Sequence, residues 1–287
     1  MRTAVFRAGL GDLERRLRLL DDAGIDRQLL SPWTDLTAYA LDAGRGEAFA
    51  RRYNDVLAEE VERRADRFAA YCTVPLQDPE AAAVELRRAV RELGMVGAAI
   101  ATTVGERELD DRSLEPFWTA AEELRALVLV HPLRPLAGRG ISRYRLGNLV
   151  GNPAETTVAA AHLVFGGVLE RHPDLRVLLV HGGGFLPYQA GRLDRGFAAQ
   201  PELTADALDR PPGESLRRLY YDTVLHSAEA VAFLVRFAGA GHVLLGSDMP
   251  FAMGEPEPLA GLAELGAADA DAVGGGSVER LLAEIRR

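Results

Sequence analysis

The chain has 287 residues, 48% of them hydrophobic and 26% charged, which is typical of one large globular domain or two ordinary ones. Its formal charge of −9, with no block of Lys and Arg, argues against nucleic acid as the main partner. The single cysteine, Cys72, excludes an internal disulfide and a cysteine-based metal cluster. No apolar run reaches membrane-spanning length or forms a secretory leader, so we expect no membrane partner and a cytoplasmic location.

Short apolar segments alternate with longer amphipathic ones along the chain, and several of the short ones are apolar throughout, as strands buried on both faces are. Strands are predicted within residues 25–31, 68–76, 95–102, 126–132, 176–182, 219–226 and 242–250. Helices are predicted within residues 11–24, 47–67, 78–94, 113–126, 227–241 and 277–287. Residues 266–277 predict a loop or a poor helix before the last helix. Strand and helix in alternation predict parallel pairing with right-handed crossovers.

Seven strands are visible in the sequence, whereas a closed (β/α)8 barrel needs eight. Only residues 3–6, TAVF, precede the first helix and can supply the first strand. A barrel that lacks one strand exposes two hydrogen-bonding edges. The sequence therefore predicts one α/β domain over residues 1–287, a TIM barrel with its first strand missing or replaced. An open doubly wound sheet is the alternative, without the glycine fingerprint that would support it.

Four polar residues fall at the carboxyl ends of predicted strands: His131, His181, His226 and Asp248. Barrel active sites are built at that end from different strands. Three imidazoles and a carboxylate there can hold a divalent metal and leave one group for proton transfer. One strand-end histidine is more often structural, so the hypothesis depends on the barrel. The other histidines are weaker candidates: His162, His172 and His242.

Two further features have a structural and a functional interpretation. Gly182, Gly183 and Gly184, which follow His181, make either a simple turn or a place where backbone N–H groups approach a ligand closely. Arg192 is either a solvated helix charge or a ligand-binding residue. Both alternatives stay open on the residues alone.

Several blocks of the sequence, in order, resemble aminocarboxymuconate-semialdehyde decarboxylase and its relatives in the amidohydrolase superfamily. The resemblance covers nearly the whole chain. It is densest in VHPL (130–133), NPAETTVAA (152–160), GGVLERHPDLRVLLVHGGGFLPYQAGRLDRGF (166–197), YYDTVLHS (220–227) and LLGSDMPFAMGE (244–255). Several blocks in the family's order are far more specific than one short motif.

The resemblance implies a role for individual residues. His131 and Asp248 match metal ligands on the fifth and eighth strands, and the metal implied is Zn2+ or another divalent ion such as Mn2+. His181 matches the histidine of the sixth strand, which acts in proton transfer. Arg192 matches an arginine that reaches the substrate carboxylate in a neighbouring subunit's site, which implies a homodimer. His226 lies in a recurrent motif of the family, and no catalytic role is carried over to it.

Two departures from the family pattern stand out. The family carries His-x-His on its first strand, and this sequence contains no His-x-His. His131 and Asp248 alone make a weak metal site, since each lost ligand costs affinity. Three alternatives would each explain the missing ligands: a truncated chain, a metal-free short form, or recruitment of His181 or His226 as a ligand. The truncated chain is favoured because the missing strand and the missing ligands coincide.

The second departure lies after the fifth strand, where relatives often carry aromatic side chains and this sequence has Leu133 and Arg145. Arg134 and Arg145 add positive charge there, so we expect Arg145 to bind a small-molecule substrate with more than one acidic group.

The resemblance implies a metal-dependent decarboxylase of a small unsaturated or aromatic carboxylic acid. A hydrolase or hydratase on the same scaffold is the alternative enzyme, because a fold does not determine the reaction. A metal-free remnant with a binding or scaffold role is the alternative outside enzymes.

Overall fold

Short parallel strands form the centre of the fold in the computed structural model, which describes residues 11–138, 140–203 and 208–285. The strands are β1 (Gln28–Leu30), β2 (Phe68–Ala70), β3 (Gly97–Ala101), β4 (Leu127–His131), β5 (Arg176–Leu179), β6 (Tyr220–Asp222) and β7 (Val243–Leu244). Strand β1 pairs with β2, and β3 to β7 form a second sheet in chain order, every pairing being parallel.

Backbone hydrogen bonds just beyond β2 join the two sheets. The Cys72 N–H donates to the Gly97 carbonyl at 2.8 Å, and the Ala99 N–H donates to the Cys72 carbonyl at 2.9 Å. The seven strands therefore follow one another in sequence order. A doubly wound sheet reverses its strand order at a switch point, and the order of the strands described here has no such reversal.

Helices separate the strands and cover the outside of the sheets. They are α1 (Leu13–Asp22), α2 (Ala43–Glu62), α3 (Pro79–Arg91), α4 (Glu115–Glu123), α5 (Asn152–Phe165), α6 (Val168–Arg171), α7 (Leu186–Ala199), α8 (Pro212–Leu216), α9 (Ala228–Ala238), α10 (Ala267–Asp271) and α11 (Ser277–Glu284). Within these ranges no helix is long and apolar enough to cross a membrane.

Helix α3 shows how local sequence sets these boundaries. The Asp78 side chain accepts a hydrogen bond from the Ala81 N–H at 3.2 Å, and Pro79 occupies the first turn, where its missing N–H costs nothing. The chain leaves the helix at Gly94, whose φ of +68° is left-handed. The apolar face between these ends is buried against the sheet and α4.

The main core lies between the sheet and its helices. Every residue of β3 is buried, as expected for a parallel strand covered on both faces. Phe117 and Trp118 of α4 are fully buried beside it, and the Trp118 indole N–H donates to the Leu109 carbonyl at 3.1 Å. This packing fixes the strands whose carboxyl ends carry the candidate site.

All seven predicted strands are confirmed in position, although the observed strands are shorter than the apolar segments. Helix α2 begins at Ala43, before the predicted start, because the Asp42 side chain caps it by accepting from the Arg45 N–H at 3.0 Å. From Ala267 onward the segment is helical, with α10 continuing through a π-helical turn, Ala272–Gly276, into α11. The predicted substitute strand at residues 3–6 lies outside the described residues.

Gly97 is the glycine that the sheet most strictly requires. Its φ is +151°, and a Cβ added there would lie 2.0 Å from the Leu127 carbonyl oxygen, a backbone atom of the paired strand. We expect Gly97→Ala to lower the free energy of unfolding by about 4 kcal/mol or more.

Gly94→Ala is the matched control for this prediction. Gly94 also has positive φ, but nothing lies within 4 Å of an added Cβ. Its replacement should cost only about 1–2 kcal/mol of backbone strain. Urea unfolding followed by circular dichroism measures both variants, and equal losses would show that the contact with β4 is unimportant.

Candidate active site

A cavity of about 1050 Å3 lies among the strands and the loops that follow them. All seven strands, or the residue that directly follows one, contribute to its wall: Leu30, Tyr71, Ala99, His131, Leu178, Asp222 and Leu244. His181 and Asp248, which follow β5 and β7, line it too. Three of the four strand-end residues predicted from sequence therefore meet at one cavity.

Two histidines lie against each other in this cavity. The ring centroids of His131 and His181 are 5.3 Å apart in an edge-to-face arrangement. Nδ1 of His131 lies 2.9 Å from the Pro132 carbonyl, a contact that a protonated Nδ1 makes as donor, which leaves Nε2 with a lone pair. Nδ1 of His181 is buried without a hydrogen-bond partner among the described residues.

Burial keeps both imidazoles neutral. It is the main cause that lowers the pKa of His131 to about 4, and the neighbouring His181 contributes. Burial likewise lowers the pKa of His181 to about 4, with a smaller contribution from His226. Neutral imidazole is the form that accepts a proton or binds a metal.

Two carboxylates complete the group. Asp222, the last residue of β6, accepts hydrogen bonds at Oδ1 from the N–H groups of Gly182 at 2.9 Å and Val224 at 3.1 Å. Burial raises the pKa of Asp222 to about 6 against the effect of these bonds. Burial also raises the pKa of Asp248 to about 6, and the nearby Asp222 adds to that shift.

His226 lies outside the cavity wall and pairs with Glu255. Nδ1 of His226 lies 3.0 Å from Oε2 of Glu255, and the His226 side chain is 40% exposed. His226 is not among the residues that line the cavity. A carboxylate on Nδ1 fixes the tautomer in which Nε2 carries the lone pair.

The glycines after His181 pack against protein. A Cβ on Gly183 would lie 2.5 Å from the Tyr221 ring, and one on Gly184 would lie 2.2 Å from the Pro153 carbonyl. None of the three glycines lines the cavity as described. This packing favours the interpretation of the three glycines as a turn, in which their small size lets the chain after His181 pass close to Tyr221 and Pro153.

The two arginines singled out in the sequence take different positions. Arg145 is exposed and lines the cavity at its rim, with a left-handed φ of +57°. Arg192 is exposed on α7 and does not line the cavity of its own chain. Of these two arginines, Arg145 is thus the one placed to meet a ligand within its own chain.

The donor set for a metal ion is small. No three His, Cys, Asp or Glu side chains in the described ranges are arranged to hold one. Outside those ranges the sequence has one such residue, Asp206. His131 and Asp248 line the same cavity, but a metal site of ordinary affinity needs three or four protein ligands.

The family model for amidohydrolases matches residues 10–283, nearly the whole chain. The chain belongs to the amidohydrolase family. In sequence, this amidohydrolase is similar to the 2-amino-3-carboxymuconate-6-semialdehyde decarboxylase of Dictyostelium discoideum. The two are 36% identical over 247 residues, which are 86% of this chain and 69% of that protein.

Solved structures give the same relationship in three dimensions. The 2,6-dihydroxybenzoate decarboxylase from Rhizobium is 31% identical, with a TM-score of 0.84 over 93% of this chain and 87% of that one. The dihydroxybenzoic acid decarboxylase from Polaromonas sp. JS666, solved with manganese and the inhibitor 2-nitroresorcinol, is 29% identical. Its TM-score is 0.84 over 94% of this chain and 85% of that one. The predicted family is confirmed, and relatives on both comparisons are decarboxylases.

Sequence reasoning missed Asp222. It lies in the block YYDTVLHS, which was used for a predicted strand, for His226 and for the family resemblance, but not for Asp222 itself. The signal was a charged residue inside a strand that otherwise reads as buried, since an unpaired buried carboxylate needs a specific reason. Glu255, the partner of His226, gave no comparable signal, because it stands in an acidic, proline-containing loop.

The three weaker histidines lie elsewhere in this amidohydrolase. Nδ1 of His162 lies 3.1 Å from Asp110 on the outer side of α5. His172 is buried between Glu122 at 3.0 Å and Glu115 at 2.9 Å. The His242 ring stacks on Tyr220 at 4.7 Å between centroids. Each has a structural partner, and none of the three lines the cavity.

The opposed pKa shifts predict how stability depends on pH. Asp222 holds its proton up to about pH 6 when folded and to about pH 4 when unfolded, so it stabilises the fold as pH falls through that window. His131 and His181 do the reverse, because the unfolded chain takes up their protons first. Asp222→Asn should therefore steepen the loss of unfolding free energy between pH 6 and 4, by up to about 3 kcal/mol.

Urea unfolding at pH 7, 6, 5 and 4 in the presence of a chelator checks this prediction. His181→Gln is the control of opposite sign, and its stability should fall less than the wild type's over the same range. If Asp222→Asn follows the wild-type curve, the carboxylate does not titrate in that window.

Proposed function

We propose that this amidohydrolase is a carboxy-lyase that removes CO2 from a small aromatic or unsaturated carboxylic acid. The observation that carries the proposal is the meeting of His131, His181, Asp222 and Asp248 in one cavity, in a chain whose relatives are decarboxylases. A cavity largely walled by apolar side chains with a few convergent polar groups suits a ring or diene that carries a carboxylate.

The reaction needs a proton for each CO2 released, because R–COO− and H+ become R–H and CO2. Protonation of the carbon that bears the carboxylate gives an electron-poor intermediate, into which the electrons of the breaking C–C bond return. We assign the proton transfer to His181, whose Nδ1 is buried without a hydrogen-bond partner among the described residues. The substrate carboxylate favours the imidazolium form of His181, offsetting the effect of burial.

Arg145 is the group we propose for binding the substrate's anionic end. Its guanidinium can hold a carboxylate with two parallel charge-assisted hydrogen bonds at the cavity rim. A second arginine in the site, Arg192 of another subunit, would suit a substrate with two acidic groups.

A divalent metal, zinc or the manganese found in the Polaromonas relative, is proposed at the same mouth with His131 and Asp248 as donors. Such an ion polarises an oxygen atom that it binds. The described residues do not complete a site for it, because no third His, Cys, Asp or Glu side chain among them joins His131 and Asp248. The steps assigned here therefore depend on the chain's own side chains.

We also infer that residues 1–287 form one domain, a (β/α)8 barrel in which the first strand is missing or replaced. Three observations support this: the sequential parallel order of β1 to β7, the common cavity they line, and the similarity to the solved decarboxylases. In the described ranges the outer edges of β1 and β7 pair with no strand, and residues beside both edges line the cavity.

A homodimer is the assembly that we propose, formed through an exposed apolar face. This face consists of Leu136, Tyr144, Leu149, Val150, Phe185, Tyr188 and Phe233, each more than a third exposed. Its parts are neighbours: the Leu136 N–H donates to the Gly151 carbonyl, and Phe185 donates to Thr157 on α5. Exposed apolar surface of this extent marks an interface, and Arg192 stands one helical turn beyond Tyr188 on α7.

His181→Ala tests the proposed chemistry. We expect kcat to fall by about 10²–10⁴-fold, because the carbon loses its proton donor. Release of CO2 from 2,6-dihydroxybenzoate and from 2-amino-3-carboxymuconate-6-semialdehyde is measured, with His162→Ala as a control histidine outside the cavity. A product that has gained water with no CO2 released would show a hydratase or hydrolase instead.

Mixing two inactive variants tests the role of Arg192. A dimer of one Arg192→Ala chain and one His181→Ala chain has one site with both residues intact if Arg192 acts across the interface. Refolding the two together should then restore about a quarter of the wild-type activity. No recovery, with hybrid dimers demonstrated by native mass spectrometry, would place both residues in the site of one chain.

A further inference from the structure

Asp222 contacts the turns at the ends of three neighbouring strands. Its Oδ1 accepts from the Gly182 N–H in the turn after β5 and from the Val224 N–H after β6. A Cβ added to Gly246, after β7, would lie 2.9 Å from the Cβ of Asp222, so these backbones pack directly on the carboxylate side chain. One buried side chain thus lies at the junction of the β5, β6 and β7 ends.

The adjacent Thr223 completes the connection on the other side. Its Oγ1 accepts from the Gly246 N–H at 3.0 Å, which holds the chain two residues before Asp248. The end of β6 therefore ties down the backbone beside both His181 and Asp248.

The residues held in this way have an uncommon backbone conformation. His181 and Asp248 have φ of +57° and +50°, a left-handed region that residues other than glycine seldom adopt. Such a conformation persists only where the surrounding structure enforces it. At His181, the turn is held by the hydrogen bond from the Gly182 N–H to Asp222 and by the one from the Gly184 N–H to the His181 carbonyl.

We propose that Asp222 is a positioning residue, which directs the His181 imidazole into the cavity by holding the Gly182 N–H. This inference rests on the proposed function, since it assigns to Asp222 the geometry of the proton-transfer group. A purely structural carboxylate would need only satisfied hydrogen bonds. Asp222 instead accepts a hydrogen bond from the backbone N–H of Gly182, the residue that follows His181. Asp222 also lines the cavity itself.

Two variants separate positioning from charge. Asp222→Asn keeps the shape and an Oδ1 acceptor but loses the charge, whereas Asp222→Leu keeps the shape and loses the acceptor. We expect Asp222→Leu to lower kcat about 100-fold with KM within about threefold, because His181 is misplaced while substrate binding remains. Asp222→Asn should restore kcat to within about fivefold of wild type.

Hydrogen exchange of the Gly182 amide, followed by NMR in the full chain, gives a readout that does not need turnover. The Gly182 amide should be protected in wild type and Asp222→Asn, and exchange about 100-fold faster in Asp222→Leu. Asp78→Ala, which removes a helix-capping carboxylate far from the cavity, should change neither kcat nor this exchange rate.

Three results would overturn the proposal. One is a wild-type kcat in Asp222→Leu, and another is an unchanged Gly182 exchange rate in that variant. The third applies even if Asp222→Leu fails to fold: a 100-fold loss of kcat in Asp222→Asn while Gly182 remains protected would show that the charge acts directly. Absence of CO2 release from the wild type would refute the proposed function, whereas the exchange rates would still decide the position of the turn.

Discussion

The hydrogen bonds of the Asp222 carboxylate are the interaction on which the candidate site depends. Burying a carboxylate is costly unless backbone donors compensate it, and here the donors belong to the turns that carry the site. The cost shows in the raised pKa of Asp222, about 6. The hydrogen bonds fix the path of the chain after β5, where His181 has a backbone conformation that residues other than glycine seldom adopt.

The same burial sets the electrostatics of the neighbouring groups. Burial keeps His131 and His181 neutral, and it raises the pKa of both Asp222 and Asp248 to about 6. Burial thus favours the uncharged form of the imidazoles and of the carboxyl groups alike, and perturbed groups of this kind gather at functional sites. Arg145 at the rim adds the positive charge that an anionic substrate needs.

Much of the fold could be predicted from the sequence because parallel strands buried on both faces are apolar throughout, as in β3 and β4. The places of His131, His181 and Asp248 followed from the rule that strand ends meet at one edge. The rest needed coordinates. Asp222 stands out in the sequence only as a charged residue in a buried strand, and its role needed its two N–H partners. The close packing of Gly183 and Gly184 could be described only when Tyr221 and Pro153 were seen beside them.

A crystal structure of the chain soaked with manganese chloride and 2-nitroresorcinol tests the central claim, that these side chains form one site for an aromatic acid. We expect the ring in the cavity among His131, Asp222 and Asp248, with a ring atom or substituent within hydrogen-bond distance of a ring nitrogen of His181. Anomalous scattering would show whether manganese lies beside His131 and Asp248. An inhibitor bound elsewhere, with this cavity holding only solvent, would show that these side chains do not form a site for an aromatic acid.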